Sequence, residues 1–208
     1  MFQIIFATGN QGKMREIRAI LGDMAAGITS MKEAGIDMEI EENGTTFAEN
    51  AVIKAKAVAE ALGAGGSARE CVVMADDSGL EIDCLNGEPG VYSARYLGEE
   101  TPFDEKSQDL LARMADVREE DRGARFVCAI AAVFPDGETV TTEGIVEGRI
   151  GHELRGDNGF GYDPIFYLPE RDCTAAELTD EEKNMISHRS KALELMKEEL
   201  KKRNYVKL

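Results

Sequence analysis

The stretch FQIIFATGNQGKMREIRAIL, residues 2–21, sets the reading of the whole chain. Phe2 to Ala7 is an uninterrupted apolar run of strand length, the pattern of a strand covered on both faces. Thr8, Gly9, Asn10, Gln11 and Gly12 form a turn cluster. From Lys13 to Leu21 the apolar residues Met14, Ile17, Ile20 and Leu21 recur at helical spacing. A buried strand, a glycine turn and an amphipathic helix in that order open an α/β fold.

Outward from this unit the same punctuation recurs. A short segment near Ile28 reads as a second strand. Thr46-Phe47-Ala48-Glu49 matches a capping box, in which hydroxyl and carboxylate each meet a free backbone N–H. The helix it opens is expected to run to about Leu62, with an apolar stripe of Ala48, Ala51, Val52, Ala55, Ala59 and Leu62. Asn50 and Lys54, four apart, share a face beside that stripe. Gly63 to Ser67 reads as a flexible loop. Cys71 to Ala75 is another buried-strand run, ending at Asp76-Asp77-Ser78-Gly79, and Leu80 to Cys84 resumes strand-like alternation. Asn86 to Gly90 turns the chain, and Phe103 to Met114 reads as a surface helix. Ala124–Phe134 and Glu138–Ile150 flank Pro135-Asp136-Gly137 as a long antiparallel hairpin. After a glycine-rich loop from Gly151 to Tyr162, Ser187 is expected to cap a last helix with a stripe at Ala192, Leu193, Met196 and Leu200. An antiparallel hairpin beside strand–helix units predicts a mixed α/β sheet with flanking helices.

The chain has 208 residues, and with about 150 residues per domain this suggests one domain, 1–208, with room for two lobes. A chain of this length buries about 70% of its unfolded surface and needs no staples. With 43% hydrophobic and 31% charged residues it falls in the globular range rather than the disordered one. Its net charge of −16 argues against nucleic acid and anionic membranes as partners. No apolar run approaches the ~20 residues needed to span a bilayer, and the N-terminus lacks the basic flank of a signal peptide. A cytoplasmic protein is expected. Cys71, Cys84, Cys128 and Cys173 show no C-x-x-C spacing; they read as reduced thiols, the first three in apolar surroundings. With two histidines, His152 and His188, a zinc site is disfavoured. An acidic chain that handles an anion must concentrate lysine and arginine locally or enlist a metal ion.

Four segments carry chemistry. The turn Thr8–Lys13 would present free N–H groups and a cation to an anion at a helix N-terminus. It is not a Walker A loop, and it serves equally as an ordinary strand-to-helix connection. Asp76 and Asp77 end a buried strand, where adjacent carboxylates need something positive, a hard divalent cation being one answer. Extended backbone points them to opposite sides, so one of the two is expected in a site. Glu41 and Glu42 offer a further oxygen ligand, as any acidic loop would. Phe160-Gly161-Tyr162-Asp163-Pro164 can form a base-stacking wall or simply pack in a core. Lys183 to Arg189 (KNMISHR) places three donors, Lys183, His188 and Arg189, near another helix start; a solvated first turn would look the same.

Taken together, the segments ATGNQGKMREI (7–17), EENGTTFAENAVIKA (41–55), VMADDSGLEID (73–83), GEPGVYSARY (87–96), GFGYDPIF (159–166) and KNMISHRSKAL (183–193) resemble the inosine triphosphate pyrophosphatase family, in family order and over nearly the full length. The resemblance implies an elongated, mixed twisted sheet in two lobes with an active-site cleft between them, a homodimer and dependence on Mg²⁺. The reaction it implies splits a purine nucleoside triphosphate (ITP, dITP or XTP) into monophosphate and pyrophosphate. By the same resemblance, Thr8, Gly9, Asn10, Gln11, Gly12 and Lys13 wrap the triphosphate and Lys54 reaches the phosphates. Glu42 and Asp77 bind the metal, Asp77 also accepting a proton, and Ser78 contacts substrate. Phe160, Gly161, Tyr162 and Asp163 flank the base, whose edge Lys183, His188 and Arg189 fix. Two other readings stand beside it: a pyrophosphatase of pyrimidine triphosphates, and a nucleotide sensor without turnover.

Overall fold

Strand β1 (Gln3–Phe6) pairs in parallel with β2 (Ile28–Ser30) on one side and β3 (Cys71–Ile82) on the other. The register sets Ile4 opposite Ile28 and Val72, and Phe6 opposite Ser30 and Met74. Parallel neighbours cannot be joined by a tight turn, and the crossovers are helices: α1 (Gln11–Leu21) after β1 and α2 (Phe47–Ala64) after β2. The computed structural model describes residues 2–22, 27–64 and 71–205.

The sheet has seven strands in the order β2-β1-β3-β4-β5-β6-β7. β4 (Gly123–Val133) and β5 (Thr139–Ile150) follow one another through a turn in which the Phe134 N–H donates to the Glu138 carbonyl at 2.9 Å. A connection so short requires an antiparallel pair, as the hairpin motif predicted. β6 (Phe166–Leu168) and β7 (Cys173–Thr174) add antiparallel. Helices α3 (Phe103–Arg113), α4 (Asp180–Ile186) and α5 (His188–Lys202) complete the chain. None of the helices among the described residues is long and apolar enough to cross a membrane.

The chain divides into two compact units. The first comprises residues 1–77, 128–144 and 189–208. Its core joins Ile4, Phe6, Val72 and Met74 of the parallel strands to Met14, Ile17 and Leu21 of α1 and Ala192, Leu193, Met196 and Leu200 of α5. These are the stripes that the sequence periodicity marks on both helices. The second comprises residues 78–127 and 145–188, and packs Leu80, Ile82, Leu110, Met114, Phe126, Ile150, Tyr162 and Phe166 together. Arg122 lies fully buried there, its guanidinium donating to the carbonyls of Ile150, Met114 and Gly151. With the Val117 carbonyl at 3.5 Å, four carbonyls surround this buried cation without a carboxylate.

The structure corrects several boundaries. Cys71–Ala75 and Leu80–Cys84 are parts of one strand, β3, which runs unbroken through Asp76-Asp77-Ser78-Gly79. Helix α1 starts at Gln11 because the Asn10 side chain caps it, accepting from the Lys13 N–H at 3.0 Å. In α2 Val58 joins Ala51 and Ala55 as fully buried, while Ala59 is half-buried. Helix α4 is additional to the predicted elements. Cys71 and Cys128 are buried thiols, but Cys84 is exposed in a 3₁₀ turn. Of the loop predicted at Gly63–Ser67, Gly63 and Ala64 end α2, and the rest lies outside the described residues.

Candidate active site

Alternation along β3 turns Asp76 and Asp77 to opposite faces, and each makes its closest contacts with different partners. Asp76 Oδ2 lies 3.0 Å from Lys13 Nζ of α1, and it accepts from both Nε and a terminal nitrogen of Arg189 of α5 at 3.2 Å. Arg189 also pairs with Glu16, so two carboxylates flank one fully buried guanidinium. Burial opposes the charge on Asp76, yet Lys13, Arg189 and Lys54 outweigh it and hold the carboxyl far below its ordinary range. The Arg189 guanidinium is penalised by burial in the same way, and Asp76 and Glu16 more than restore its affinity for the proton. Lys13, a cation at the head of α1 where the helix dipole disfavours positive charge, therefore has a protein anion, Asp76, beside it.

On the other face, Asp77 Oδ2 accepts from Asn50 Nδ2 at 3.0 Å and its Oδ1 lies 3.5 Å from Lys54 Nζ. Lys54 also donates to Glu42 Oε2 at 2.8 Å. The capping box that opens α2 forms as predicted. The Glu49 N–H donates to Thr46 Oγ1 at 3.1 Å, and the Thr46 N–H donates to Glu49 Oε2 at 3.2 Å. The start of α2 is thereby fixed, and one helical turn carries both Asn50 and Lys54 into the interior. Burial raises the Asp77 carboxyl above its ordinary value, although Lys54 and Asn50 pull the other way. Burial would lower Lys54, but Asp77, Asp76 and Glu42 raise it instead. A buried lysine thus stays charged while the carboxylate beside it keeps more basicity than usual, a combination suited to accepting a proton.

At the head of α1, Thr8 Oγ1 accepts from the Asn10 N–H at 3.2 Å. Gly9, Asn10 and Gln11 are exposed, while Thr8, Gly12 and Lys13 are half-buried. The first turn of α1 contains no acidic residue, so its backbone donors remain suited to an outside anion.

In the second unit the aromatic turn and α4 meet. Asp163 Oδ2 accepts from the Phe160 N–H at 2.8 Å and from Lys183 Nζ at 2.6 Å, and Lys183 Nζ stands 4.4 Å from the Phe160 ring centroid. A capping box of Thr179 and Glu182 starts α4 and sets Lys183 on its inner side. Gly159 allows the turn its tightness: φ is +80°, and an added Cβ would stand 2.2 Å from Asp163 Oδ2. His188 stacks on Phe126 at 4.9 Å, and both line a small apolar hollow of about 20 Å³ with Phe166, Ile186, Asp163 and Lys183.

The structure gathers Lys13 with Asp76 and Arg189; Lys54 with Glu42 and Asp77; and Phe160 with Asp163, Lys183 and His188. Arg189 differs from its expected place beside Lys183 and His188. It is buried against Asp76 and Glu16, because His188 and Arg189 are successive helical residues about 100° apart around the axis. Tyr162 serves as an anchor of the turn: its ring packs edge-on to Phe103 and its hydroxyl donates to the Ser93 carbonyl at 2.8 Å. Ser78 occupies a half-buried position of β3, and Glu41 is exposed. Two participants escaped the sequence reading. Glu16 sits next to Ile17 on a buried helix face, a position where a carboxylate demands a cation. Asn50 was visible only as a neighbour of Lys54.

Glu42 and Asp77 supply hard oxygen donors that share one lysine. No group of three or more His, Cys, Asp or Glu side chains placed to hold a metal ion occurs among the described residues. Magnesium, which keeps several waters and takes one or two carboxylates plus substrate phosphates, fits such a pair.

Comparison with known proteins agrees over nearly the whole chain. The sequence profile of the Ham1 family matches residues 4–199. A dITP/XTP pyrophosphatase of Clostridium perfringens is 47% identical over 201 residues, 97% of this chain and 98% of the relative. A dITP/XTP pyrophosphatase of Bacillus licheniformis is 50% identical over 193 residues, 93% of this chain and 95% of that protein. Among solved structures, a HAM1 protein from Coxiella burnetii superimposes with a TM-score of 0.84 at 40% identity, covering 97% of this chain and 100% of its own. The Staphylococcus aureus Ham1 protein gives 0.82 at 42% identity, covering 97% and 99%.

Proposed function

The chain belongs to the Ham1 family, and from that premise we propose that it removes faulty purines from the nucleotide pool. In this reading it hydrolyses ITP, dITP and XTP to the nucleoside monophosphate and pyrophosphate. The names of its relatives support the reading. The observation that carries it is Lys54, whose ammonium holds the carboxylates of Glu42 and Asp77 in one place, 2.8 and 3.5 Å away.

Water attacks at the α–β junction of the triphosphate. Asp77, kept basic by burial, takes the proton of that water. Lys13 and the backbone N–H groups of the Thr8–Gly12 turn bind phosphate oxygens and stabilise the charge that grows on the leaving pyrophosphate. Magnesium held by Glu42 and Asp77 would neutralise the triphosphate and improve pyrophosphate as a leaving group. Lys183, backed by Asp163, donates to the 6-oxo group of the base beside Phe160 and His188. An adenine presents an amino donor at that edge, so donor meets donor and buried groups lose their bonds. The reading includes a pair of identical subunits, for which light scattering should return twice the chain mass.

The test is incubation with ITP, XTP, dITP, ATP, GTP and UTP plus Mg²⁺, with the phosphorus products identified. Pyrophosphate from the first three is expected, and D77N should lower kcat by roughly 10²-fold or more. Orthophosphate as the product would sink the assignment. Preference for UTP would favour a pyrimidine enzyme, and tight binding without turnover a sensor.

A further inference from the structure

The two carboxylates of the catalytic cluster come from segments far apart in the chain, and Asn50, like Lys54, touches both segments. Asn50 is fully buried. Its Oδ1 accepts from the Gly44 N–H at 2.8 Å, at the end of the acidic segment that carries Glu42. A backbone N–H can only donate, so this bond fixes which way round the amide sits. The Nδ2 is then necessarily turned to the other side, where Asp77 Oδ2 accepts from it at 3.0 Å. One helical turn on, Lys54 reaches Asp77 Oδ1 and Glu42.

We propose that Asn50 is a positioning residue: its amide sets the rotation of the Asp77 carboxylate and ties it to the backbone of the Glu42 segment. The inference rests on the role given above to Asp77 and Glu42. Three features of the local chemistry carry it. Both oxygens of Asp77 have partners from the same turn of α2, Asn50 on Oδ2 and Lys54 near Oδ1, so the carboxylate plane is fixed by two contacts rather than one. Gly44 is a glycine because an added Cβ would stand 2.7 Å from Asn50 Oδ1 and 2.8 Å from the Glu49 Cβ, which lets the acidic segment come close enough for the bond. The third feature is the amide itself. Aspartate at this position could still accept from Gly44 but would set a carboxylate against Asp77, and glutamine would overfill the site by a methylene.

The experiment compares wild type, N50D and N50A by four readouts. These are hydrogen exchange of the Gly44 amide, thermal unfolding, Mn²⁺ affinity without nucleotide by electron paramagnetic resonance, and the kcat and KM for dITP. N50D keeps the acceptor for Gly44 and loses the donor for Asp77. It is expected to retain Gly44 protection and to lose about 10- to 100-fold in kcat with KM little changed, the usual cost of a group that orients a metal ligand. N50A is expected to lose Gly44 protection and to weaken Mn²⁺ binding by about 10- to 100-fold. Should N50D fail to fold, N50A decides by the same exchange and Mn²⁺ measurements. Wild-type kcat in N50D, a loss confined to KM, or unchanged Mn²⁺ binding in N50A would overturn the proposal. If wild type itself released no pyrophosphate from dITP, the reading of the function would fail instead, and the Gly44 exchange would still report whether the tether exists.

Discussion

Lys13 Nζ stands 3.0 Å from Asp76 Oδ2, so the cation at the head of α1 is held by a carboxylate at the middle of β3. That contact aims a half-buried lysine without consuming it: Asp76 also has Arg189, and an ammonium carries three donors. Replacing Lys13 removes a cation from the phosphates and leaves Asp76 the Arg189 guanidinium. K13M should lower kcat/KM by about 10²-fold, the range for losing one donor to a developing charge. Its unfolding temperature should fall, but by less than loss of Asp76 itself would cause, and steady-state kinetics with thermal unfolding checks both.

Asp76 itself is structural. D76N takes from the buried Arg189 one of the two carboxylates that flank it, and breaking a buried ion pair from one side costs about 3–5 kcal/mol. At about 2–4 °C per kcal/mol for a chain of this size, melting should fall by roughly 10 °C. The folded carboxyl titrates far below the ordinary 3.8 of the unfolded chain. Its contribution is thus present in full above that ordinary value and is lost only as pH falls toward the depressed one. Melting curves of D76N and wild type should stay equally far apart from pH 5 to 8 and converge only in strong acid.

Asp77 has the opposite sign. Burial raises its folded pKa above the unfolded value, so its ionised form costs stability above that pKa, and the cost fades as pH falls through it. The slowed variant D77N should be more stable than wild type at pH 7, with an advantage that shrinks toward pH 4. This is the common exchange of stability for a charged group at a reacting centre. Melting curves across that range decide it.

The base-side cluster depends on the tight turn at Gly159. G159A forces a side chain into φ +80° and drives Cβ onto Asp163 Oδ2, which also holds Lys183. The expected result is a raised KM for ITP and a smaller preference for ITP over ATP. Competition kinetics with the two nucleotides measures both.

Much of the fold was legible because apolar runs and capping boxes act locally. The opening strand and helix, the Thr46–Glu49 cap, the hairpin and the stripe of α5 all follow from neighbours in sequence. The break expected within Cys71–Cys84 was absent for a long-range reason. Asp76-Asp77-Ser78-Gly79 has the composition of a turn, yet Lys13, Arg189, Asn50 and Lys54, each from another segment, make those carboxylates tolerable inside a strand. Helix α4 is short and polar, so it carried no apolar stripe, only the box of Thr179 and Glu182. The separation of Arg189 from His188 depends on which helix face meets which core. Spacing along the chain cannot report it.

Oxygen-18 tracing tests the central claim most directly. Hydrolysis of dITP or XTP in H₂¹⁸O with Mg²⁺, followed by mass analysis, should place one label in the nucleoside monophosphate and none in pyrophosphate. Label in pyrophosphate, or labelled orthophosphate as the first product, would contradict attack on the α-phosphorus and the role assigned to Asp77.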